Sequence, residues 1–239
     1  MRSTDRTVLV TGATGLQGGA VVSKLRAEGW KVRALVRDTA SGPAKALAES
    51  GVEITVGDLD DRDSLDRAVA GAWGVFAVHA GSYEGNRYGY DAGHEARTAA
   101  KLGAASKAAG VAHVVHSSVI GTGTPLETKL PMLELKAAAE AAWREAGLSL
   151  TILRPGSFME NAFDSPRELQ DGRLVTGLLA ETHEPLIAVA DIAAFAALAF
   201  ADPERHRDES YVLAGDDPTQ IEIAAQIGRA VGREVPYVG

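Results

Sequence analysis

The sequence predicts an α/β fold in which helices cover both faces of one parallel sheet. Short apolar runs recur along the first two thirds of the 239-residue chain, at residues 8–11, 31–36, 53–56, 74–79, 113–117 and 149–153. Each of the first five is followed by helix-compatible, mostly alanine-rich sequence, which gives the alternation of strand and helix that builds parallel sheets. The runs are continuously apolar, as is typical of strands that helices cover on both sides. We therefore predict a doubly wound parallel sheet.

The composition limits the class of protein and the kinds of site. With 46% hydrophobic and 23% charged residues and no apolar run long enough to cross a membrane, the chain reads as globular. No hydrophobic signal core precedes the first strand, so we expect a cytoplasmic protein. The absence of cysteine excludes disulfides, thiolate metal ligands and a cysteine nucleophile. A net charge of -8 opposes nucleic-acid binding, because that requires lysine and arginine to neutralise phosphates.

A glycine-rich turn follows the first predicted strand. Gly12, Gly15 and Gly18 stand between the strand at 8–11 and an amphipathic helix that runs to about Leu25. Glycines let the backbone approach a pyrophosphate, whose negative charge is favoured by free N–H groups at the N-terminus of the next helix. Strand, glycines and helix in this order are the fingerprint of a dinucleotide-binding Rossmann fold. The alternative is a tight turn that needs glycine and binds nothing.

The end of the second predicted strand bears on the choice of dinucleotide. An acidic residue there would hydrogen-bond the ribose of NAD, whereas an arginine pairs with the 2′-phosphate of NADP. Arg37 occupies this place, and Arg33 and Lys45 could assist it. We predict NADP as the cofactor, while the neighbouring Asp38 keeps NAD as an alternative.

The alternation of strands and helices stops at Arg154-Pro155, because the residue before a proline is pushed out of the helical region. We therefore predict a dinucleotide-binding Rossmann domain over residues 1–155. Residues 156–239 would form a smaller, C-terminal substrate-side lobe packed on the first.

Two helices are expected in this lobe. Asp191 can cap one over residues 192–201. Thr219 and Glu222 have the spacing of a capping box ahead of a second helix over residues 223–231.

The chain resembles the NmrA-like family of atypical short-chain dehydrogenases over nearly all of its length. The similar segments include the glycine turn and lie at residues 11–19, 32–38, 51–61, 110–118, 153–161 and 187–192. Members of that family usually continue well past the point where this chain stops, so we expect the substrate-side lobe to be shortened here.

The resemblance implies a set of cofactor contacts. It puts the pyrophosphate at Gly12, Thr14, Gly15, Leu16, Gln17 and Gly18. The adenosine phosphate would lie at Arg37, the adenine at Asp58 and Leu59, and the ribose along Val78, His79 and Ala80. The nicotinamide would lie beside Lys136, Pro155, Gly156, Ser157 and Phe158. Each segment follows the C-terminal end of a predicted strand, which is where an open α/β sheet binds its ligand.

The usual pair for acid–base catalysis is missing. Many short-chain dehydrogenases use a tyrosine and a lysine one helical turn later, because both side chains must share a helix face. Lys136 has the helix position, but Met132 stands where the tyrosine would be, which disfavours a sugar-nucleotide epimerase or an ordinary alcohol dehydrogenase. Lys136 either makes a surface ion pair with Glu140 or, as the resemblance to isoflavone reductases suggests, holds the nicotinamide ribose or a substrate carbonyl.

Serines and tyrosines near the strand ends are the other catalytic candidates. Ser117 and Ser118 end the fifth strand, where they would bond substrate or nicotinamide; the alternative is that both are satisfied within the turn. The loop after the fourth strand carries Tyr83 and Tyr88, and either would supply the missing acid if this loop closed over the nicotinamide. The alternative is an exposed loop whose tyrosines cover the sheet edge.

The sequence does not indicate a metal site. His113 and His116 fall on opposite faces of their strand, because side chains alternate along a strand. The acidic run from Asp58 to Asp63 fits adenine contact and helix capping better than a cation site.

Two functions remain open at this point. The first is a reductase that passes hydride from NADPH to a small quinone, enone or other conjugated carbonyl, since an electron-poor acceptor tolerates a weak acid–base set. The second is a non-catalytic sensor in which NADP(H) changes a surface that binds a protein partner, as in some members of the family. The sequence is compatible with a homodimer in either case.

Overall fold

The computed structural model describes residues 5–79, 93–126, 130–161 and 169–239. Strands and helices alternate through the first part of the chain. They are β1 (Thr7–Val10), α1 (Leu16–Ala27), β2 (Lys31–Val36), α2 (Gly42–Glu49), β3 (Glu53–Val56), α3 (Arg62–Val69), β4 (Gly74–Ala77), α4 (His94–Ala108), β5 (His113–Ser117), α5 (Pro131–Glu145) and β6 (Leu150–Pro155). The six predicted strands are confirmed, with ends that shift by two residues at most.

Shorter elements follow Pro155. They are β7 (Ser157–Phe158), β8 (Leu169–Gln170), β9 (Arg173–Val175), β10 (Leu186–Ile187), α6 (Val189–Ala201), α7 (Pro203–His206), β11 (Ser210–Leu213), α8 (Gln220–Val231) and β12 (Tyr237–Val238). The predicted capping box is confirmed, because Thr219 and Glu222 bond each other's backbone N–H at the start of α8.

The central sheet has seven strands in the order β11-β6-β5-β4-β1-β2-β3. All its pairings are parallel, and the register places Val10 beside Phe76, Ala77 beside His116 and Ser117 beside Leu153. The C-terminal ends of β1, β4, β5 and β6 therefore lie along one edge. The strand order reverses at β1, and such a switch point is where doubly wound sheets bind ligands.

Helices cover both faces of this sheet. One core contains Val10, Phe76 and Phe200 and lies under α1 and α6. The other contains Leu9 and Trp143 and lies under α3, α4 and α5. Neighbouring residues of β1 thus face opposite cores, and each fully buried side chain of this size contributes about 1.5–3 kcal/mol to folding. This confirms the predicted doubly wound arrangement.

The N-terminus of α6 differs from the prediction. The helix begins at Val189, and Asp191 lies within its first turn instead of at the cap. The cap is the carboxylate of Glu160, whose two oxygens each accept the N–H of Val189 at 3.1 Å. A carboxylate suits this place because the first N–H groups of a helix have no partner within it.

The chain after Pro155 contributes to two parts of the molecule. α6 packs against α1, and β11 extends the central sheet beside β6. A small sheet in the order β12-β9-β8 packs with α8 around Leu174, Ile223 and Ile227. The division into a domain and a lobe at residue 155 stays a prediction. Within the described ranges, no helix combines the length and the apolar character needed to cross a membrane.

Candidate functional site

The turn between β1 and α1 has room only for glycine at two of its positions. Gly12 has a φ of +60°, and a Cβ there would lie 2.5 Å from Val78 Cγ1. A Cβ on Gly18 would overlap the carbonyl oxygen of Gly12. The same carbonyl accepts the N–H of Gly15 at 2.9 Å. Helix α1 therefore approaches β1 so closely that a side chain would force the turn apart.

Three side-chain hydrogen bonds tie this turn to neighbouring strands. Thr11 Oγ1 donates to the carbonyl of Val78 at 2.8 Å and accepts the N–H of the same residue at 2.9 Å. Gln17 Nε2 donates to Ser117 Oγ at 2.7 Å, and both side chains are buried. The predicted ligand contacts Gln17 and Ser117 are thus hydrogen-bonded to each other through their side chains. What Gln17 offers a ligand is its backbone.

The N-terminus of α1 is open to an anion. Gly15 stands at the N-cap with no side chain to bond the first N–H groups, and the first turn contains no acidic residue. Gly12, Thr14, Gly15 and Leu16 are exposed. Unpaired N–H groups and the helix dipole favour a negatively charged group at such a place. The turn therefore fits the diphosphate of a dinucleotide.

Arg37 stands exposed directly after β2, at the predicted position of a 2′-phosphate. The carboxylate of Asp38 beside it accepts the N–H of Ala40 at 2.7 Å, so it stabilises the turn into α2. Lys45 is exposed on α2.

Arg33 does not assist Arg37, contrary to the prediction. Its guanidinium donates to Glu53 at 2.7 Å and to the carbonyl oxygens of Ala68 and Ala70 at 2.7 and 2.8 Å. These bonds hold it between the start of β3 and the end of α3. The sequence pattern could not show this, because the carbonyl groups belong to a helix end more than 30 residues away.

Two carboxylates of the acidic run after β3 accept backbone N–H groups of the chain itself. Asp58 and Leu59 are half-buried, and the carboxylate of Asp58 accepts the N–H of Asp60 at 2.9 Å. Asp61 caps α3 by accepting the N–H of Asp63 at 3.1 Å, as predicted. The part of the chain that the structure describes contains no group of three or more acidic or histidine residues able to hold a metal.

The segment from Pro155 to Phe158 bends at Gly156. A Cβ on Gly156 would overlap the carbonyl oxygen of Pro185, so the pairing of β7 with β10 depends on this glycine. Ser157 and Phe158 then line a cavity of about 40 Å³. Its other walls come from β9, β10 and α8, which places it between the sheet edge and the C-terminal residues.

Lys136 pairs with Glu95 of α4 and not with Glu140 as one reading of the sequence expects. Its ammonium donates to the Glu95 carboxylate at 2.8 Å. Glu95 is buried, although it lies in the first turn of its helix. The sequence gives no signal for this pair beyond an acidic residue at a helix start, because the partners are 41 positions apart.

Glu140 is enclosed by other cations. Arg154 donates to it twice, at 3.0 and 2.7 Å, and Arg144 once at 2.9 Å. Burial by itself would raise the pKa of Glu140, but Arg154 and then Ser118 hold that pKa below its ordinary value. Ser118 itself is buried and does not face an open crevice.

Two buried histidines lie beneath Lys136, at the ends of β4 and β5. Trp143 Nε1 donates to His79 Nε2 at 3.3 Å, and His79 Nδ1 lies 3.0 Å from Thr98 Oγ1. Burial first, and then the nearby His116 and Lys136, hold the pKa of His79 well below its ordinary value. Burial and the charge of Lys136 lower the pKa of His116 to about 3. Both rings are therefore neutral at physiological pH.

His113 lies on the opposite face of β5, as predicted. Its ring contacts Phe200 in one core, whereas the ring of His116 contacts Trp143 in the other. The predicted roles of Ala80, Tyr83 and Tyr88 fall outside the described residues.

Comparison with known proteins shows which family and which solved structures the chain is similar to. A family model described as "NmrA-like family" matches residues 4–239. The chain is 30% identical over 232 residues to an NAD(P)H azoreductase of Xenophilus azovorans, covering 97% of this chain and 76% of that protein. An NADPH-dependent quinone oxidoreductase of Escherichia coli, solved with NADPH, has a TM-score of 0.79 at 28% identity and covers 97% and 78% of the two chains. The negative transcriptional regulator NmrA with NADP has a TM-score of 0.79 at 24% identity, with 98% and 74% covered, which shows the fold alone.

The close approach at Gly18 predicts its response to substitution. Gly18→Ala should lower the free energy of unfolding by about 1–3 kcal/mol, because the added methyl overlaps backbone that cannot move aside. Gly19→Ala is the matched control, since a Cβ there lies 3.4 Å from its nearest neighbour and alanine favours a helix. Urea unfolding of both variants measures the difference. Equal stabilities would show that the turn is not as tight as described.

The low pKa of His116 predicts how stability varies with pH. Between its ordinary pKa of 6.5 and about 3, the unfolded chain binds a proton at this residue and the folded chain does not. Stability is therefore complete above pH 6.5 and falls as the pH decreases, by about 1.4 kcal/mol per pH unit for each such histidine. His116→Asn should reduce the slope by about that amount.

Unfolding free energies measured across the acidic range give these slopes directly. The slope matters here, since a uniform loss of stability in His116→Asn shifts the whole curve without changing its pH dependence. An unchanged slope would mean that His116 takes up its proton equally in both states.

Proposed function

Because the chain belongs to the NmrA-like family, we propose that it is an NADPH-dependent reductase that passes hydride to a small electron-poor acceptor such as a quinone, an enone or another conjugated carbonyl. The observation that carries the proposal is the glycine turn, where α1 approaches β1 at Gly18 and its first N–H groups are left without side-chain caps. Such a turn suits an anionic group such as a diphosphate. The names of the azoreductase and quinone oxidoreductase relatives support the reaction type.

The cofactor contacts in this proposal follow the strand ends. The N–H groups of the turn from Gly12 to Gly18 would hold the pyrophosphate, Arg37 the 2′-phosphate, Asp58 and Leu59 the adenine, Val78 to Ala80 the ribose, and Pro155 to Phe158 the nicotinamide. The imidazole of His79 is bonded to Trp143 and Thr98, so its contribution would come from the backbone. The buried hydroxyl of Ser117, bonded to Gln17, would support the turn.

When bound, the reduced nicotinamide supplies a hydride. The residues of the chain then have to hold the acceptor, exclude water and give a proton to the oxygen that becomes negatively charged. His79 and His116 do not meet the last requirement, because both are buried and neutral. We assign this role to Lys136, a predicted catalytic residue whose ammonium is bonded to Glu95 and partly exposed, whereas Ser118 is buried.

We assign the predicted lobe over residues 156–239 to the substrate side of the site. We place the protein in the cytoplasm with a small molecule as its partner. A homodimer is compatible with this site, which is built from one chain.

Turnover separates this proposal from the sensor function. Wild-type protein with NADPH and a panel of quinones and enones should oxidise NADPH only when an acceptor is present, and the loss of its near-ultraviolet absorbance measures the rate. Gly18→Ala should lose this activity, and Gly19→Ala should keep it. Binding of NADPH without turnover on any acceptor would contradict the reductase and favour a sensor that acts on a protein partner.

The assignment of Arg37 predicts a change in cofactor preference. Arg37→Glu should weaken NADPH by about 10- to 100-fold, because a charge-assisted bond to the 2′-phosphate is replaced by repulsion. NADH lacks that phosphate, so its affinity should change by less than about threefold on the same grounds. Titrations followed by NADPH and NADH fluorescence give both values.

Arg33→Gln is the control for this experiment, since Arg33 bonds Glu53 and the end of α3. It should leave the ratio of the two affinities unchanged. Equal losses of NADPH and NADH affinity in Arg37→Glu would overturn the 2′-phosphate assignment.

A further inference from the structure

The ammonium of Lys136 is held by one carboxylate from another helix. Lys136 on α5 bonds Glu95 on α4 at 2.8 Å, and the two side chains are 19% and 8% exposed. Within the described ranges, Glu95 is the carboxylate that Lys136 contacts. Glu140, one turn further along α5, bonds Arg154 and Arg144 instead. The place of the ammonium is therefore set by Glu95.

The surroundings make this placement sensitive to Glu95. An ammonium taken out of water needs a close and well-oriented partner to offset the loss of hydration. The neighbouring rings of His79 and His116 are neutral and buried, so they contribute no compensating negative charge. Met132, one turn earlier on α5, is 42% exposed, and the side chain of Lys136 is itself 19% exposed. Without Glu95 the lysine would be free to turn toward solvent.

We propose that Glu95 is a positioning residue that holds the ammonium of Lys136 where it gives a proton to the reduced acceptor. This inference rests on the proposed function. For an enone, the reduced nicotinamide would supply the hydride, losing a C–H bond and becoming oxidised, while a C–H bond forms at the β-carbon. The electron pair of the C=C bond moves into the bond beside the carbonyl carbon, and the π pair of the C=O bond moves onto the oxygen. An O–H bond forms there as an N–H bond of Lys136 breaks, and the neutral amine takes a proton back from water.

A merely structural role for Glu95 has to be separated from this one. An acidic residue in the first turn of a helix stabilises that helix through its dipole, whatever lies nearby. That role predicts the same effect of Glu95 with or without Lys136. The positioning role predicts that the effect on turnover disappears once Lys136 is gone.

The test is a double-mutant cycle on the full chain with Glu95→Gln, Lys136→Met and the double variant. Glu95→Gln should lower kcat at least about tenfold, because a displaced proton donor no longer reaches the oxygen, and should leave NADPH affinity within about threefold. In the Lys136→Met background, Glu95→Gln should change kcat by less than about twofold. Glu95→Asp should recover part of the rate. Lys101→Met is the control, because it removes another ion pair of α4, with Asp60, and leaves the Lys136–Glu95 bond in place.

A second measurement does not depend on activity. Reductive methylation followed by mass spectrometry reports how freely each lysine reacts. Lys136 should react several-fold faster in Glu95→Gln than in the wild type, and Lys24 and Lys101 should react at unchanged rates.

The outcomes distinguish this inference from the proposed function. An equal loss of kcat from Glu95→Gln in both backgrounds, or unchanged methylation of Lys136, would overturn the positioning role while leaving the reductase intact. A wild-type chain that reduces no acceptor would contradict the proposed function and the proton transfer with it. The methylation rates would still decide whether Glu95 holds Lys136.

Discussion

The contact between the carbonyl of Gly12 and helix α1 at Gly18 determines how the first strand meets the first helix. Because no side chain fits there, the helix starts directly above the end of β1, with its first N–H groups turned toward the switch point of the sheet. Thr11 and Gln17 fix the same turn to β4 and β5. The tight packing of the turn and its proposed role as an anion site thus have one cause, which is the absence of side chains at these positions.

A second constraint lies where α4 and α5 cover the ends of β4 and β5. Polar groups buried in this place have to be bonded or neutral, because the low dielectric of the interior makes an isolated charge costly. His79 and His116 satisfy the requirement by staying neutral, and Glu140 satisfies it through two arginines. The Lys136–Glu95 pair is the charged group beside the histidines, and it lies at the boundary with the exposed part of α5. This arrangement makes Lys136 the proton donor in the proposed reaction.

Local patterns were sufficient to predict much of the architecture. The apolar strands and the glycine turn depend on neighbours in sequence, and the structure confirms both. The seventh strand, Ser210–Leu213, has no such signal, because it is a short edge strand in which Val212 is 60% exposed. Its place is set by pairing with β6, which no pattern within residues 210–213 encodes.

The parts of the site that could not be predicted depend on partners distant in sequence. Glu160 caps a helix that begins 29 positions later, and Glu95 meets Lys136 across 41 positions. The same applies to Arg33, whose charge suggests a phosphate contact until the end of α3 is placed beside it. Charged residues have many possible partners, and only the packing of helices on the sheet decides among them. Glycine, by contrast, has few roles, so the tight turn between β1 and α1 could be predicted from the sequence.

Isothermal titration calorimetry of the wild-type chain with NADPH and NADH tests most directly whether the turn between β1 and α1 holds a dinucleotide. We expect saturable binding of one NADPH per chain, with a higher affinity than that of NADH. If properly folded protein shows no binding heat with either nucleotide at millimolar concentration, the glycine turn serves the fold alone and the proposed dinucleotide site is wrong.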